Sequence, residues 1–151
     1  MIRPARPGEG QALHDITAAA IRAQAPGFYT HAQVAGWMQG RDGGHYEDAI
    51  AAGRVRVAEV NGGLVGFVDT APGFIARLYV RPEAMGQGWG RRLLEVGVAE
   101  AMTPQGVRLE ATLHAMGFYA RCGFVEQGRE MFADPPGRLP VEVVRMHRRF
   151  R

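Results

Sequence analysis

The spacing of hydrophobic positions along this chain changes period repeatedly, and the changes mark its elements. After a short strand around Ile2 to Ala5, Leu13, Ile16, Ala20 and Ile21 recur at helical spacing within "QALHDITAAAIRAQ", and Pro26-Gly27 stops the run. Thr30 is placed to cap a second helix that carries Val34, Trp37 and Met38 on one side, and a short helix is expected through "HYEDAIAAG". The period then drops to two. "RVRVAEV" and "LVGFVDT" read as strands around Asn61-Gly62-Gly63, residues that tolerate the positive φ of a tight hairpin, and "FIARLYV" is a third strand ending at Pro82. Between Gly88 and Met102 the helical pattern returns, with Gly90, Leu94, Gly97, Val98 and Ala101 on one face and Arg91 and Glu95 expected as an exposed i,i+4 pair. "VRLEAT" alternates again, setting Val107, Leu109 and Ala111 against Arg108, Glu110 and Thr112. A short helix through "HAMGFYARC" follows. Two last strands, Phe124 to Phe132 and Val141 to His147, are joined by the turn-rich "ADPPGRLP". This order predicts an α+β sheet with helices on both faces.

Length and composition narrow the classes. A chain of 151 residues with 46% hydrophobic residues buries one core, so residues 1–151 are read as a single domain. All 18 basic residues are arginine, which excludes a Schiff-base lysine and a phosphate-gripping lysine. The net charge is +3, but the arginines are scattered from Arg3 to Arg151, which argues against a nucleic-acid partner. A single cysteine, Cys122, forms no intrachain disulfide and suits a reducing compartment. No leader-like start and no run of about 18 apolar residues is present, so the expectation is a cytoplasmic protein without a membrane partner. The five histidines show no metal-ligand spacing, and no metal is expected.

The chemistry concentrates at "VRPEAMGQGWGRRLL", where Gly86, Gly88 and Gly90 fall at every second position between a strand and a helix. Such a turn lets a backbone approach a ligand closely and aims free N–H groups at an anion, helped by the helix dipole. It lacks the lysine of a Walker loop and the G-x-G-x-x-G spacing of a dinucleotide site.

"LYVRPEAMGQGWGRRLL" resembles the acetyl-CoA-binding motif of the GCN5-related N-acetyltransferases, and "ATLHAMGFYARCGF" is similar to that family's second signature. The likeness extends over most of the chain, with "NGGLVGFV" as the second and third strands and "PVEVVRM" as the closing one. It implies the acyl-CoA N-acyltransferase fold: a mixed, mostly antiparallel central sheet of about six to seven strands, splayed in the middle. It also implies acetyl-CoA as co-substrate. Carried over by position, Gly86, Gln87, Gly88, Trp89, Gly90 and Arg91 would meet the pyrophosphate, mainly through backbone N–H groups. Leu78, Tyr79 and Val80 would pair their backbone with the pantetheine arm, a backbone N–H near Val80 would face the thioester oxygen, and Thr112 would bond a pantetheine amide. Met85 stands where the family has Gln or Arg. That departure removes one side-chain donor, worth about 1 kcal/mol of cofactor binding.

Transfer of acetyl from a thioester to an amine needs an unprotonated nucleophile, a donor to the thioester oxygen and a proton for the leaving thiolate. Tyr119 matches the family's tyrosine that supplies the proton. The strand before Pro82 carries no carboxylate at Phe74 to Ala76, so Glu110, on one strand face with Thr112, is the candidate base. His114, titrating near neutrality, and Asp69 are lesser options. Cys122 has no neighbouring histidine by spacing and reads as a small buried hydrophobe. The acceptor, a small-molecule or peptide amine, is expected near "PGFYTHAQVAGW", with Tyr29 as the substrate-binding residue. Two other readings stay open: a non-catalytic acyl-CoA-binding module, suggested by Met85 and the missing carboxylate, and a nucleic-acid-associated basic protein. A homodimer is also left open.

Overall fold

The computed structural model describes residues 1–133 and 139–149; most of the expected turn "ADPPGRLP" and the final Phe150-Arg151 lie outside them. The chain runs β1 (Ile2–Pro4), α1 (Gly10–Gln24), α2 (His31–Gly36), α3 (Gly44–Ala51), β2 (Val55–Val60), β3 (Gly63–Ala71) and β4 (Phe74–Val80). A 3-10 turn at Pro82–Ala84 leads into α4 (Trp89–Ala101), followed by β5 (Val107–Thr112), α5 (Met116–Arg121), β6 (Val125–Phe132) and β7 (Val141–Arg148). The strands form one sheet in the order β1-β2-β3-β4-β5-β7-β6. Every neighbouring pair is antiparallel except β4 and β5. This is the expected mixed, mostly antiparallel α+β sheet.

Local signals act where the sequence puts them. Asn61 and Gly62 take φ of 51° and 81° at the β2–β3 turn. Thr30 caps α2 through a reciprocal box: its hydroxyl accepts from the Gln33 N–H at 3.1 Å, and the Gln33 side chain accepts from the Thr30 N–H at 2.8 Å. The expected Arg91–Glu95 pair does not form. Glu95 instead accepts from Arg148 of β7 at 2.9 Å, while Arg91 faces the cleft described below. A tertiary partner 53 residues away has displaced the local one.

Helices cover both faces. On one, Leu93, Leu94 and Val98 of α4 pack on Val68, Ile75 and Leu109. The helix lies close to the sheet at Gly97, where a Cβ would come 2.8 Å from Val68 Cγ2 and 3.2 Å from Ile75 Cδ1. Gly97→Val is therefore expected to overpack this layer and lower stability by about 1–3 kcal/mol, read as a fall in Tm. On the other face, Leu13 and Ile16 of α1 join Tyr46, Ile50, Val57 and Phe67. A third cluster ties Ile21, Tyr29 and Trp37 to Val141 and Val143 of β7.

The feature that positions the site is an irregularity in β4. Asp69 pairs with Arg77 and Thr70 with Ile75, so Ala76 is an extra residue on β4. Such a bulge bends its strand and raises the local twist. The parallel pairing with β5 covers only Phe74↔Arg108 and Ile75↔Leu109, ending at the residue before the bulge. Beyond it the strands part, which is the expected splay in the middle of the sheet.

Candidate active site

The parting strands leave backbone groups without a ladder partner. Arg81 N–H bonds the Val65 carbonyl at 2.7 Å, so by the alternation of a strand the N–H and C=O of Leu78 and Val80 turn the other way, into the gap. Across it, Arg108 N–H bonds Gly73 O at 2.9 Å, so the backbone of Glu110 also turns toward β4, and its C=O, past the last paired residue, faces the gap. Strand edges of this kind accept an extended, amide-bearing ligand as an added strand.

A cleft of about 560 Å³ fills the gap. Its walls include Leu78, Tyr79, Val80, Met85, Gly86, Gly88, Gly90, Arg91, Glu110, Thr112 and Tyr119, so most of the residues singled out from the sequence converge here. At the mouth, Gly86 and Gly88 hold φ of 79° and 86°. Gly88 is the N-cap of α4, and the first bond of the helix runs from Arg92 N–H to Gly88 O at 3.1 Å. The N–H groups of Trp89, Gly90 and Arg91 therefore emerge from the helix start, where the dipole favours an anion. Met85 lends the wall only its side chain, because its N–H bonds Pro82 O at 3.2 Å.

Some side chains sit elsewhere. Gln87 turns back toward the Glu83 carbonyl at 3.5 Å, and the Trp89 ring lies under the Arg92 guanidinium at 4.3 Å. Neither lines the cleft, so the contribution expected of them is confined to backbone. Tyr29 is displaced further. It is 8% exposed; its hydroxyl donates to Glu142 O at 2.6 Å and accepts from Leu113 N–H at 2.8 Å. With both capacities used, it braces β7 against the end of β5, and it is not among the walls of this cleft. Among Phe28, Tyr29 and Trp37, the aromatic residues of "PGFYTHAQVAGW", it is Trp37 that lines a second cleft.

That second cleft, about 370 Å³, lies against the α1 and α3 side of the sheet. It meets the first along Ala76, Arg77, Tyr79, Glu110 and Thr112, the residues that border the splay. Tyr119 lines the first cleft only, whereas Glu110 lines both.

The electrostatics separate the candidates. Tyr119 is 7% exposed, and burial, followed by Tyr79 and Cys122, pushes its phenol well above the usual tyrosine range. It carries its proton at neutral pH. Glu110, an exposed residue of β5, is raised as well, first by partial desolvation and then by the Glu130 carboxylate, with Arg108 and Arg145 opposing. The register explains the meeting: Thr112 and Glu130 both pair with Val143, which brings β6 within reach of β5 on one face. His114 corrects the sequence expectation. Burial lowers it to about 4, so it is neutral at physiological pH, and its Nε2 lies 3.1 Å from Thr112 Oγ1. Asp69 is held by Arg77 at 2.6 Å and 3.0 Å. Cys122 is buried and lines neither cleft.

The sheet order, the splay and the glycine turn at a helix start define an acyltransferase of the type the sequence resembles. The profile described as Acetyltransferase (GNAT) domain matches residues 51–126, and the chain belongs to this family of N-acetyltransferases. Among similar proteins is the uncharacterized N-acetyltransferase YafP of Escherichia coli, 29% identical over 123 residues that cover 82% of this chain and 79% of that one. A GCN5-related N-acetyltransferase from Rhodopseudomonas palustris shares the fold at a TM-score of 0.89 with 22% identity, covering 99% of this chain and 95% of the other. The PaiA N-acetyltransferase of Thermoplasma acidophilum, solved in complex with coenzyme A, superposes at a TM-score of 0.74 with 18% identity over 99% and 98% of the two chains. None of the helices among the described residues is long and apolar enough to cross a membrane.

Proposed function

We propose that this protein transfers acetyl from acetyl-CoA to a primary amine of a small molecule or peptide by direct attack, with both substrates bound at once. The observation that carries this reading is the junction of two clefts at the splay, with Tyr119 on the wall of one and Glu110 reached from both.

The residues present fit acetyl-CoA. The free N–H groups at the start of α4, reinforced by Arg91, suit a pyrophosphate, and the exposed backbone edge of Leu78 and Val80 suits the two amides of a pantetheine arm. When bound, acetyl-CoA supplies an activated acyl carbon and a thiolate leaving group. Glu110 accepts a proton from the attacking amine, directly or through one water, as the new C–N bond forms. The Val80 N–H hydrogen-bonds the thioester oxygen. Tyr119 donates its proton to sulfur as the C–S bond breaks, and it is reprotonated from solvent after product leaves. The raised pKa of the phenol does not prevent this, because the same burial makes a thiolate more basic.

Glu110 must be ionised to serve as base. Its pKa is raised, so kcat/KM is expected to climb with pH through a value above the usual carboxylate range. Glu130→Gln removes the neighbouring negative charge and should move that acid limb to lower pH. Glu110→Gln should remove the limb. A pH–rate profile indifferent to both changes would assign the base elsewhere.

The direct test is thiol release from acetyl-CoA over a panel of amines, read against a control without acceptor. Turnover that depends on added amine supports the proposal; none with any amine, although acetyl-CoA raises the Tm, contradicts it.

A further inference from the structure

The second cleft is charged unevenly, and this bears on what it takes. At the splay it ends on Glu110, whose carboxylate interacts with that of Glu130; the arginines whose charge reaches Glu110 are Arg108 and Arg145. Away from Glu110 the wall passes from Arg77 of β4, which also borders the splay, to Asp69, its pair on β3, and to Arg54, which reaches Asp69 from the residue before β2. Asp69 is 1% exposed, and its Oδ2 accepts both bonds from Arg77. Its Oδ1 has no hydrogen-bond partner and lies 4.0 Å from Arg54 Nε, which has none either. Two guanidinium groups thus face one carboxylate, and the Arg54 side chain is 41% exposed. The rest of the lining includes the apolar Trp37, Phe74, Val141 and Val143 together with the polar Gln33, Arg41 and His45.

An acceptor lying along this cleft presents its amine to Glu110 and its far end to an excess of positive charge. Two strand spacings, about 10 Å, separate β5 from β3, and the Arg54 side chain reaches from the residue before β2, the next strand, to within 4.0 Å of Asp69 on β3, leaving a gap for a tether of roughly four carbons. Complementary charge at both ends orients a ligand and rejects competitors of the wrong sign. Arginine in particular suits a carboxylate or phosphate oxyanion. A volume of about 370 Å³ is near the lower limit of small-molecule pockets, so the ligand is short.

We infer that the acceptor is a zwitterion: a primary amine joined through a short apolar tether to an oxyanion, which Arg54 receives at the wall it shares with Asp69 and Arg77. The inference rests on the acetyl-transfer reading and narrows its substrate. Polycationic amines are disfavoured by the same charge.

The test uses four amines of matched length with the intact protein and saturating acetyl-CoA: δ-aminovalerate, aminobutylphosphonate, pentylamine and cadaverine. At least one oxyanion-bearing member should exceed pentylamine in kcat/KM by about tenfold, chiefly through KM, and cadaverine should be poorest. The carboxylate and phosphonate arms identify the oxyanion. Arg54→Gln should erase the preference over pentylamine by raising KM for the oxyanion-bearing amine, and Arg54→Lys should retain part of it. Pentylamine or cadaverine performing as well as both oxyanion-bearing amines with wild type would overturn the inference. So would failure of both oxyanion-bearing amines while acetyl-CoA still raises the Tm, an outcome that leaves cofactor binding standing. If acetyl-CoA produces no Tm shift, the acetyl-transfer reading falls and the inference with it.

Discussion

Tyr119→Phe is expected to lower kcat and kcat/KM together by about a hundredfold to ten-thousandfold, while the Kd for acetyl-CoA stays within twofold (about 0.4 kcal/mol) of wild type. The loss is confined to chemistry because the substitution removes one hydroxyl and keeps the ring. That ring packs edge-on to Phe118 and Phe124 at centroid distances of 5.2 Å and 5.8 Å, and Phe preserves both contacts. The hydroxyl belongs to a residue of the first cleft, where the leaving sulfur would lie, and burial holds it protonated. Initial rates and a calorimetric titration separate the outcomes. Full activity in the variant would move the proton to another donor, such as a water. A comparable loss of cofactor affinity would instead make Tyr119 a wall residue.

Gly88→Val is expected to weaken acetyl-CoA binding by about tenfold to a hundredfold. The cause is conformational. A Cβ at Gly88 would meet nothing within 4 Å, so the packed protein has room for it. The backbone, however, holds φ of 86°, a region that a β-branched residue avoids at a cost of about 1–2 kcal/mol. Relief of that strain rotates the peptide at the N-cap of α4 and takes the N–H groups of Trp89, Gly90 and Arg91 off a shared target. The valine side chain also stands where a phosphate would approach. In the protein without ligand, Tm should fall less than in Gly97→Val, whose Cβ strikes the sheet. An unchanged Kd would mean that the loop serves only as a turn.

What the sequence made legible was local. Alternation placed β5 at Val107–Thr112, the Asn-Gly pair placed the β2–β3 hairpin, and the spaced glycines placed the start of α4. The glycine loop, the β4 edge and Tyr119 were found together because two motifs carry them. Long-range effects were not legible. Tyr29 looked like a pocket aromatic because nothing local shows that the Glu142 carbonyl and the Leu113 N–H claim its hydroxyl. Glu95 looked like a partner for Arg91 until β7 brought Arg148 to it. The Arg54–Asp69–Arg77 group depends on the register of β3 and β4, on the bulge at Ala76 that turns Arg77 toward the second cleft, and on Arg54 reaching Asp69 from the residue before β2. The influence of Glu130 on Glu110 passes across β7, from residues 20 apart in sequence. His114 shows the same limit for charge: as a histidine it was expected to titrate near neutrality, and its burial lowers it to about 4.

The central claim is that amine and thioester meet directly across the splay, without an acyl group held on the protein. Initial velocities with acetyl-CoA and the best acceptor of the matched series both varied test it most directly. Direct attack predicts double-reciprocal lines that intersect, since both substrates occupy the joined clefts before either product leaves. Parallel lines would require an acyl-enzyme and would contradict the account; Cys122, the single thiol, is buried outside both clefts.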